Sequence, residues 1–187
     1  RGLGDVYKRQ VRYGLMLRED GIVMDDGTTA RMCENHFIMT TTTVNAESVY
    51  RHLEFCHQCL WPEMDVYLIS TTDAWAQIAI AGPNSRKIIS KIVDKQFDVS
   101  NKNFPFMACK EITICGGVLA RLFRISFSGE LAYELSIPTQ YASSLVSYLM
   151  EIGKDENIIP YGTEALGVMR IEKGHAAGAE LNGTISA

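Results

Sequence analysis

The feature that most narrows the fold of this chain is a glycine pair set between two strand-like runs. Residues 110–115 and 118–127 flank Gly116-Gly117, a pair whose freedom at positive φ suits a tight β-hairpin turn. Strands joined this closely are antiparallel. The pattern recurs along the chain. Residues 11–18 alternate loosely, and Asp25-Asp26-Gly27 then supplies a second hairpin-type turn; 36–43, 65–72, 75–81 and 133–137 read as further strands. Helices are fewer. Asn45 is placed to cap one, with Glu47 in its first turn, Val49, Leu53, Cys56 and Leu60 at helical spacing, and Pro62 as its stop. Gly82-Pro83-Asn84-Ser85 opens a second, with Ile88, Ile89, Ile92 and Val93 on one face. Thr139 caps a third, and a fourth runs over 163–173 and stops at Gly174. Strands that adjoin strands, with few helices, define an α+β fold of mostly antiparallel sheets with packed helices.

Composition excludes several classes of function. The 187 residues are 47% hydrophobic and 21% charged, enough for a sizeable core without metal or disulfide staples. Eighteen Lys+Arg against 22 Asp+Glu leave a net charge of −4 and no basic run. Nucleic acid and anionic membrane surfaces are therefore poor partners. No apolar stretch approaches the ~20 residues of a membrane span. Five cysteines, an odd number, suit reduced thiols in a cytoplasmic setting. Residues 1–10, RGLGDVYKRQ, carry no apolar period that joins the next segment, so they read as an adapter-like segment foreign to the fold. That leaves 11–187 as one domain. A start at Arg1 without Met and a stop at Ser186-Ala187 in mid-pattern read as truncation at both ends.

The motifs are mostly negative. Cys56-His57-Gln58-Cys59 lacks a second CxxC and a following His, and Cys56 continues the apolar face of Val49 and Leu53, so core packing is preferred to a metal or redox site. We expect no metal. No GxGxxG follows a strand and no phosphate-binding GxxxxGK[ST] occurs. Ser128-Gly129-Glu130 is half of a nucleophile elbow at most. His36, His52, His57 and His175 lie scattered without paired carboxylates. Two acidic spots remain. Asp25-Asp26 has a sufficient reading as turn chemistry. Glu130 and Glu134 flank a short loop into a strand; a carboxylate turned inward there needs donors, which a planar ligand with adjacent N–H groups or an arginine could provide.

Five stretches carry a resemblance: YGLMLREDGIVMDDG, HQCLWPEMDV, WAQIAIAGPNSR, CGGVLARLFRISFSGELAYELSIP and YGTEALGVMRIEKGH. Together they resemble the folate-binding aminomethyltransferase (glycine-cleavage T-protein) family, and within it the C-terminal part of the sarcosine oxidase alpha branch. The resemblance implies a T-protein-like fold completed by a C-terminal β domain beyond this chain, and tetrahydrofolate as cofactor. It places the catalytic aspartate at Asp26, with Asp25 left to turn hydrogen bonding. It places the pterin-lining tyrosine at Tyr13, the residue before the Ser-Gly-Glu run at Phe127, the pterin-edge carboxylate at Glu134, and a partner for the anionic folate tail at Arg170. Phe127 and Ala30 stand where T-proteins carry tyrosines, and the Asn that ends their third strand is replaced within 40–43; these departures suit the oxidase branch. The implied activity is capture of a sarcosine-derived iminium on tetrahydrofolate, giving 5,10-methylenetetrahydrofolate and glycine. FAD, FMN and NAD belong elsewhere in such a complex, whose implied partners are a flavin-containing beta subunit and smaller subunits. The alternatives are a glycine-cleavage aminomethyltransferase and a folate-binding scaffold without catalysis.

Overall fold

In the computed structural model, which describes residues 7–177 and Glu180, the chain opens with three strands. β1 (Gln10–Leu17), β2 (Val23–Cys33) and β3 (His36–Met39) form an antiparallel sheet in that order. The turn expected at Asp25-Asp26-Gly27 lies earlier, over 18–22. There Asp20 Oδ1 accepts the Ile22 N–H at 3.0 Å, and the Gly21 N–H reaches the Arg18 carbonyl at 3.0 Å. Both turns offer Asp and Gly, but Asp25 is met by three donors from Thr42 and Asn45 and is drawn into the strand. Asp25 and Asp26 thus stand inside β2, opposite Met16 and Leu15. β1 begins at Gln10, within the segment read as foreign to the fold. Arg9 also makes sheet bonds, its N–H to the Arg31 carbonyl at 2.7 Å and its carbonyl accepting the Cys109 N–H at 2.9 Å. Residues 1–6 and the last residues of the chain, 181–187, lie outside the described residues.

Gly27 explains how closely β2 and the end of β3 approach. A Cβ at this position would lie 1.9 Å from the Thr40 carbonyl oxygen, so no side chain fits. Thr28 and Thr40 then stitch the two segments, the Thr28 N–H to Thr40 Oγ1 at 3.0 Å and the Thr40 N–H to the Thr28 carbonyl at 2.8 Å.

The second sheet holds β4 (Trp75–Ala81), β5 (Cys109–Ile114), β6 (Val118–Phe123) and β7 (Ala132–Pro138) in the order β4-β7-β6-β5. Every pairing is antiparallel, and β5 and β6 reverse through Gly116-Gly117 at φ +83° and +121°, as the glycine pair predicts. Alternation gives each strand two faces. Ile80, Ile112, Ile114, Leu122, Leu135 and Ile137 bury one face beneath α2 (Ser85–Ile92) and α3 (Ala142–Ile152), which contribute Ile88, Ile89, Ile92, Leu145 and Leu149. The 65–72 segment, expected as a strand, is irregular with Tyr67 and Ile69 exposed: its alternation finds no strand beside it. Thr139 opens a 3₁₀ turn before α3, and its hydroxyl goes to the Asp73 carbonyl instead of capping the helix.

The other face of this sheet meets the first sheet. Val11 and Ala30 pack with Cys109, Phe123 and Ile125 in a second, smaller core. The Val11 N–H donates to the Met107 carbonyl at 2.8 Å, which fixes the junction. Of the remaining helices, α1 (Ala46–Phe55) widens into a π turn over Cys56–Leu60, so the Cys-His-Gln-Cys run is a helical end. Cys56 is buried there, its Sγ 3.5 Å from His52 Nε2. Among the described residues no group of three or more His, Cys, Asp or Glu is arranged to hold a metal. α4 (Thr163–Glu172) ends at Gly174, at φ +78°. No helix among the described residues is long and apolar enough to cross a membrane.

Candidate active site on the two sheets

Strand alternation sends the two adjacent aspartates of β2 to opposite faces. Asp25 turns inward and is 4% exposed. It accepts three hydrogen bonds from the chain after β3: Thr42 N–H at 3.0 Å, the Thr42 hydroxyl at 2.7 Å and the Asn45 amide at 3.1 Å. Asn45 does stand at the start of α1, but its side chain serves Asp25 and not the helix N-terminus. The role expected of Asp25 in a turn is therefore replaced by a buried tie between β2 and α1.

Asp26 faces the other way. The Tyr13 hydroxyl donates to its Oδ2 at 2.7 Å. Leu15 is directly opposite Asp26, so Tyr13, two residues away on the same face, is the diagonal neighbour within reach of a long aromatic side chain. Burial and the adjoining carboxylate push the Tyr13 phenol up to about 12, so it stays a donor. The Tyr13 ring meets His175 edge-on, centroids 5.3 Å apart, and His175 meets Phe127 in the same manner at 5.1 Å. His175, read from the sequence as one of four scattered histidines, is thus drawn between two of the expected site residues. Only its position just past Gly174, at a helix end, was visible beforehand. Burial and the Lys173 charge depress its imidazole, with Asp26 acting in the opposite sense.

Glu134 lies on β7, opposite Ala79 of β4 and Phe123 of β6. Since Phe123 belongs to the small core between the sheets, Glu134 stands beside that junction. It is half-buried and hydrogen-bonded by the Gln77 amide, whose oxygen accepts from the Ser136 hydroxyl at 3.2 Å. Among the described residues no lysine or arginine pairs with it, and burial pushes the carboxyl up to about 7. The Tyr161 phenol is raised by burial and by the Glu134 charge, which places the segment before α4 next to this carboxyl. Arg170, on α4, has its fork on Glu180, with Nη1–Oε2 at 2.5 Å and Nη2–Oε1 at 2.7 Å. The structure therefore gathers Tyr13, Asp26, Phe127 and His175, and engages Arg170 internally. Two cavities, of about 450 and 360 Å³, are lined by none of these residues.

Two antiparallel sheets are joined through a small core, with an aspartate–tyrosine pair on one and a half-buried glutamate on the other. The chain belongs to the GCVT N-terminal domain family, whose sequence model matches residues 2–187. It is 60% identical over 177 residues to the sarcosine oxidase subunit alpha of Rhizobium meliloti (strain 1021), covering 94% of this chain and 18% of that protein. It is 31% identical over 180 residues to the aminomethyltransferase of Lysinibacillus sphaericus (strain C3-41), covering 95% of this chain and 46% of that one. Among solved structures, the glycine cleavage system aminomethyltransferase T from Bartonella henselae superposes with a TM-score of 0.75 at 20% identity, over 92% of this chain and 43% of that one; this is a likeness of fold. The chain thus spans less than half the length of these relatives.

Proposed function

We propose that this chain is the folate-binding, one-carbon-transfer part of a sarcosine oxidase-like enzyme. The observation that carries the proposal is Glu134, a half-buried carboxyl pushed up to about 7 with no cation beside it among the described residues. Such a group calls for a ligand that brings its own N–H donors. The amino and ring N–H groups of a pterin form such an edge, and two parallel hydrogen bonds to an ionised carboxylate are strong and directional. Tyr13, Phe127 and His175 offer aromatic surface for a planar ring. These residues fit tetrahydrofolate, which when bound supplies the amine nitrogen that takes up a one-carbon unit. For the folate tail the resemblance offers Arg170, whose fork is filled by Glu180.

Asp26 does the protein's share of the chemistry. Its carboxylate, oriented by the Tyr13 hydroxyl, favours a cationic iminium derived from sarcosine and takes the proton that an attacking amine must lose. The overall conversion yields 5,10-methylenetetrahydrofolate and glycine. The 60% identity to a protein named sarcosine oxidase subunit alpha supports the oxidase branch over a glycine-cleavage aminomethyltransferase. In this reading FAD, FMN and NAD are held elsewhere in a cytoplasmic complex, with a flavin-containing beta subunit and smaller subunits as partners. A folate titration tests it. Glu134→Gln should weaken binding by about 1.5–3 kcal/mol, the range for a hydrogen bond to a charged group, while sarcosine oxidation by the assembled enzyme stays unchanged. Equal affinity in the variant removes Glu134 from the site.

A further inference from the structure

Arg170 is already engaged by protein groups on every side that its contacts define. It grips both Glu180 oxygens, and Nη1 also donates to the His175 carbonyl at 3.1 Å. The His175 N–H donates back to the Arg170 carbonyl at 2.9 Å, and Glu180 Oε2 accepts the Ala177 N–H at 3.1 Å. These bonds close the chain after α4 on itself. The ring they project is His175, standing edge-on between Tyr13 and Phe127 at interplanar angles of 73° and 81°. Tyr13 then points its hydroxyl at Asp26. From below, Lys173 fastens the same segment to the loop that carries Phe127, through Nζ and the Ser126 carbonyl at 2.5 Å.

We propose that Arg170 and Glu180 form a buckle that holds His175 as a wedge between Tyr13 and Phe127. In that case Arg170, Glu180 and His175 are positioning residues for the Tyr13–Asp26 pair, and Arg170 is not the ligand of a folate tail. The inference deepens the folate reading and, in its statement about the tail, rests on it. The forked geometry carries it. A bidentate Arg–carboxylate pair fixes direction as well as distance. A ligand carboxylate would have to displace one tethered ten residues away and therefore present at high effective concentration.

Two experiments on the full chain test the inference. The first is a proton NMR titration of the His175 imidazole, identified among the four histidines by its loss in His175→Gln. The charged groups facing this ring are Lys173 and Arg170 on one side of the balance and Asp26 and Glu180 on the other. In Glu180→Gln, loss of the negative charge alone would depress the His175 pKa further. Release of the wedge into water would raise it toward the ordinary 6.5. A rise is the expected result; a fall or no change overturns the buckle. The second compares binding of tetrahydrofolate with binding of 6-methyltetrahydropterin, which has no tail, in Arg170→Gln. Both affinities should fall by a common factor, on the order of tenfold. A loss confined to tetrahydrofolate overturns the inference and gives the tail to Arg170. If the unsubstituted chain binds neither pterin, the folate reading fails, and the His175 titration still decides the buckle.

Discussion

Adjacent aspartates acquire different chemistry in β2 because alternate side chains face opposite sides of a strand, and the two sides differ in the donors they offer. Asp26, half-buried, accepts from one phenol; Asp25, buried, accepts from three donors of Thr42 and Asn45. Asp26→Asn should therefore leave folate binding intact while methylenetetrahydrofolate formation falls by about 10²–10⁴, the scale for losing a general base. Asp25→Asn turns an amide toward groups that are themselves donors, and thermal unfolding should show a loss of about 1–3 kcal/mol. That exceeds what a turn residue would cost. If transfer is lost with Asp25→Asn and retained with Asp26→Asn, the assignment of the two is reversed. Glu134 carries a pH signature. Its folded carboxyl titrates at about 7 against an ordinary 4.5, so its stabilising effect is complete below about pH 4.5 and is lost as pH rises through 7. Glu134→Gln should therefore be the more stable protein above pH 7 and gain nothing near pH 4. A pterin edge favours the ionised form, so folate affinity should climb between pH 6 and 8 in the parent chain and stay flat in the variant. A flat profile in both would separate Glu134 from the ligand.

At the level of elements, the close approach of β2 to the Thr40 segment leaves no room for a methyl group. Gly27→Ala would place a carbon 1.9 Å from a backbone oxygen, a form of overpacking that costs about 1–3 kcal/mol. Because Gly27 follows Asp26 directly, denaturant melts should show that loss together with impaired transfer. A variant of parental stability would mean that β3 yields easily. The same region shows why the sequence could be read only in part. The Gly116-Gly117 hairpin, β4, β7 and all four helices are local, marked by turn glycines and apolar periods, and they were legible. The Asp25-Asp26 turn was not, because Asp and Gly signal a turn equally at 20–21 and 25–27, and the choice depends on Thr42 and Asn45 some seventeen to twenty residues away. The 65–72 strand failed for the converse reason, since alternation makes a strand only where another strand can receive it. Tyr13 and Asp26 came from a family pattern that the register explains, whereas His175 is recruited by contacts that no spacing announces.

Across the whole molecule, one large core stabilises the second sheet and a small one fixes its relation to the first. Phe123 belongs to the small core and is directly opposite Glu134, whereas its neighbour Leu122 points into the large core. Phe123→Ala and Leu122→Ala should both be costly, about 3–5 and 2–5 kcal/mol. Folate affinity measured well below the melting point should fall in Phe123→Ala and persist in Leu122→Ala. Equal affinities would show that the sheets keep their relation without Phe123. The junction has a further consequence, in time. Both hairpins of the first sheet close over short stretches of chain, but the bond from Val11 to Met107 closes a loop of nearly a hundred residues, and such long closures dominate folding rates. As the polypeptide emerges from the ribosome, Tyr13 and Asp26 are therefore made before β5, β7 and His175, and must wait for them before the proposed site can assemble. The proposed transfer could not begin in a nascent chain before His175 is made.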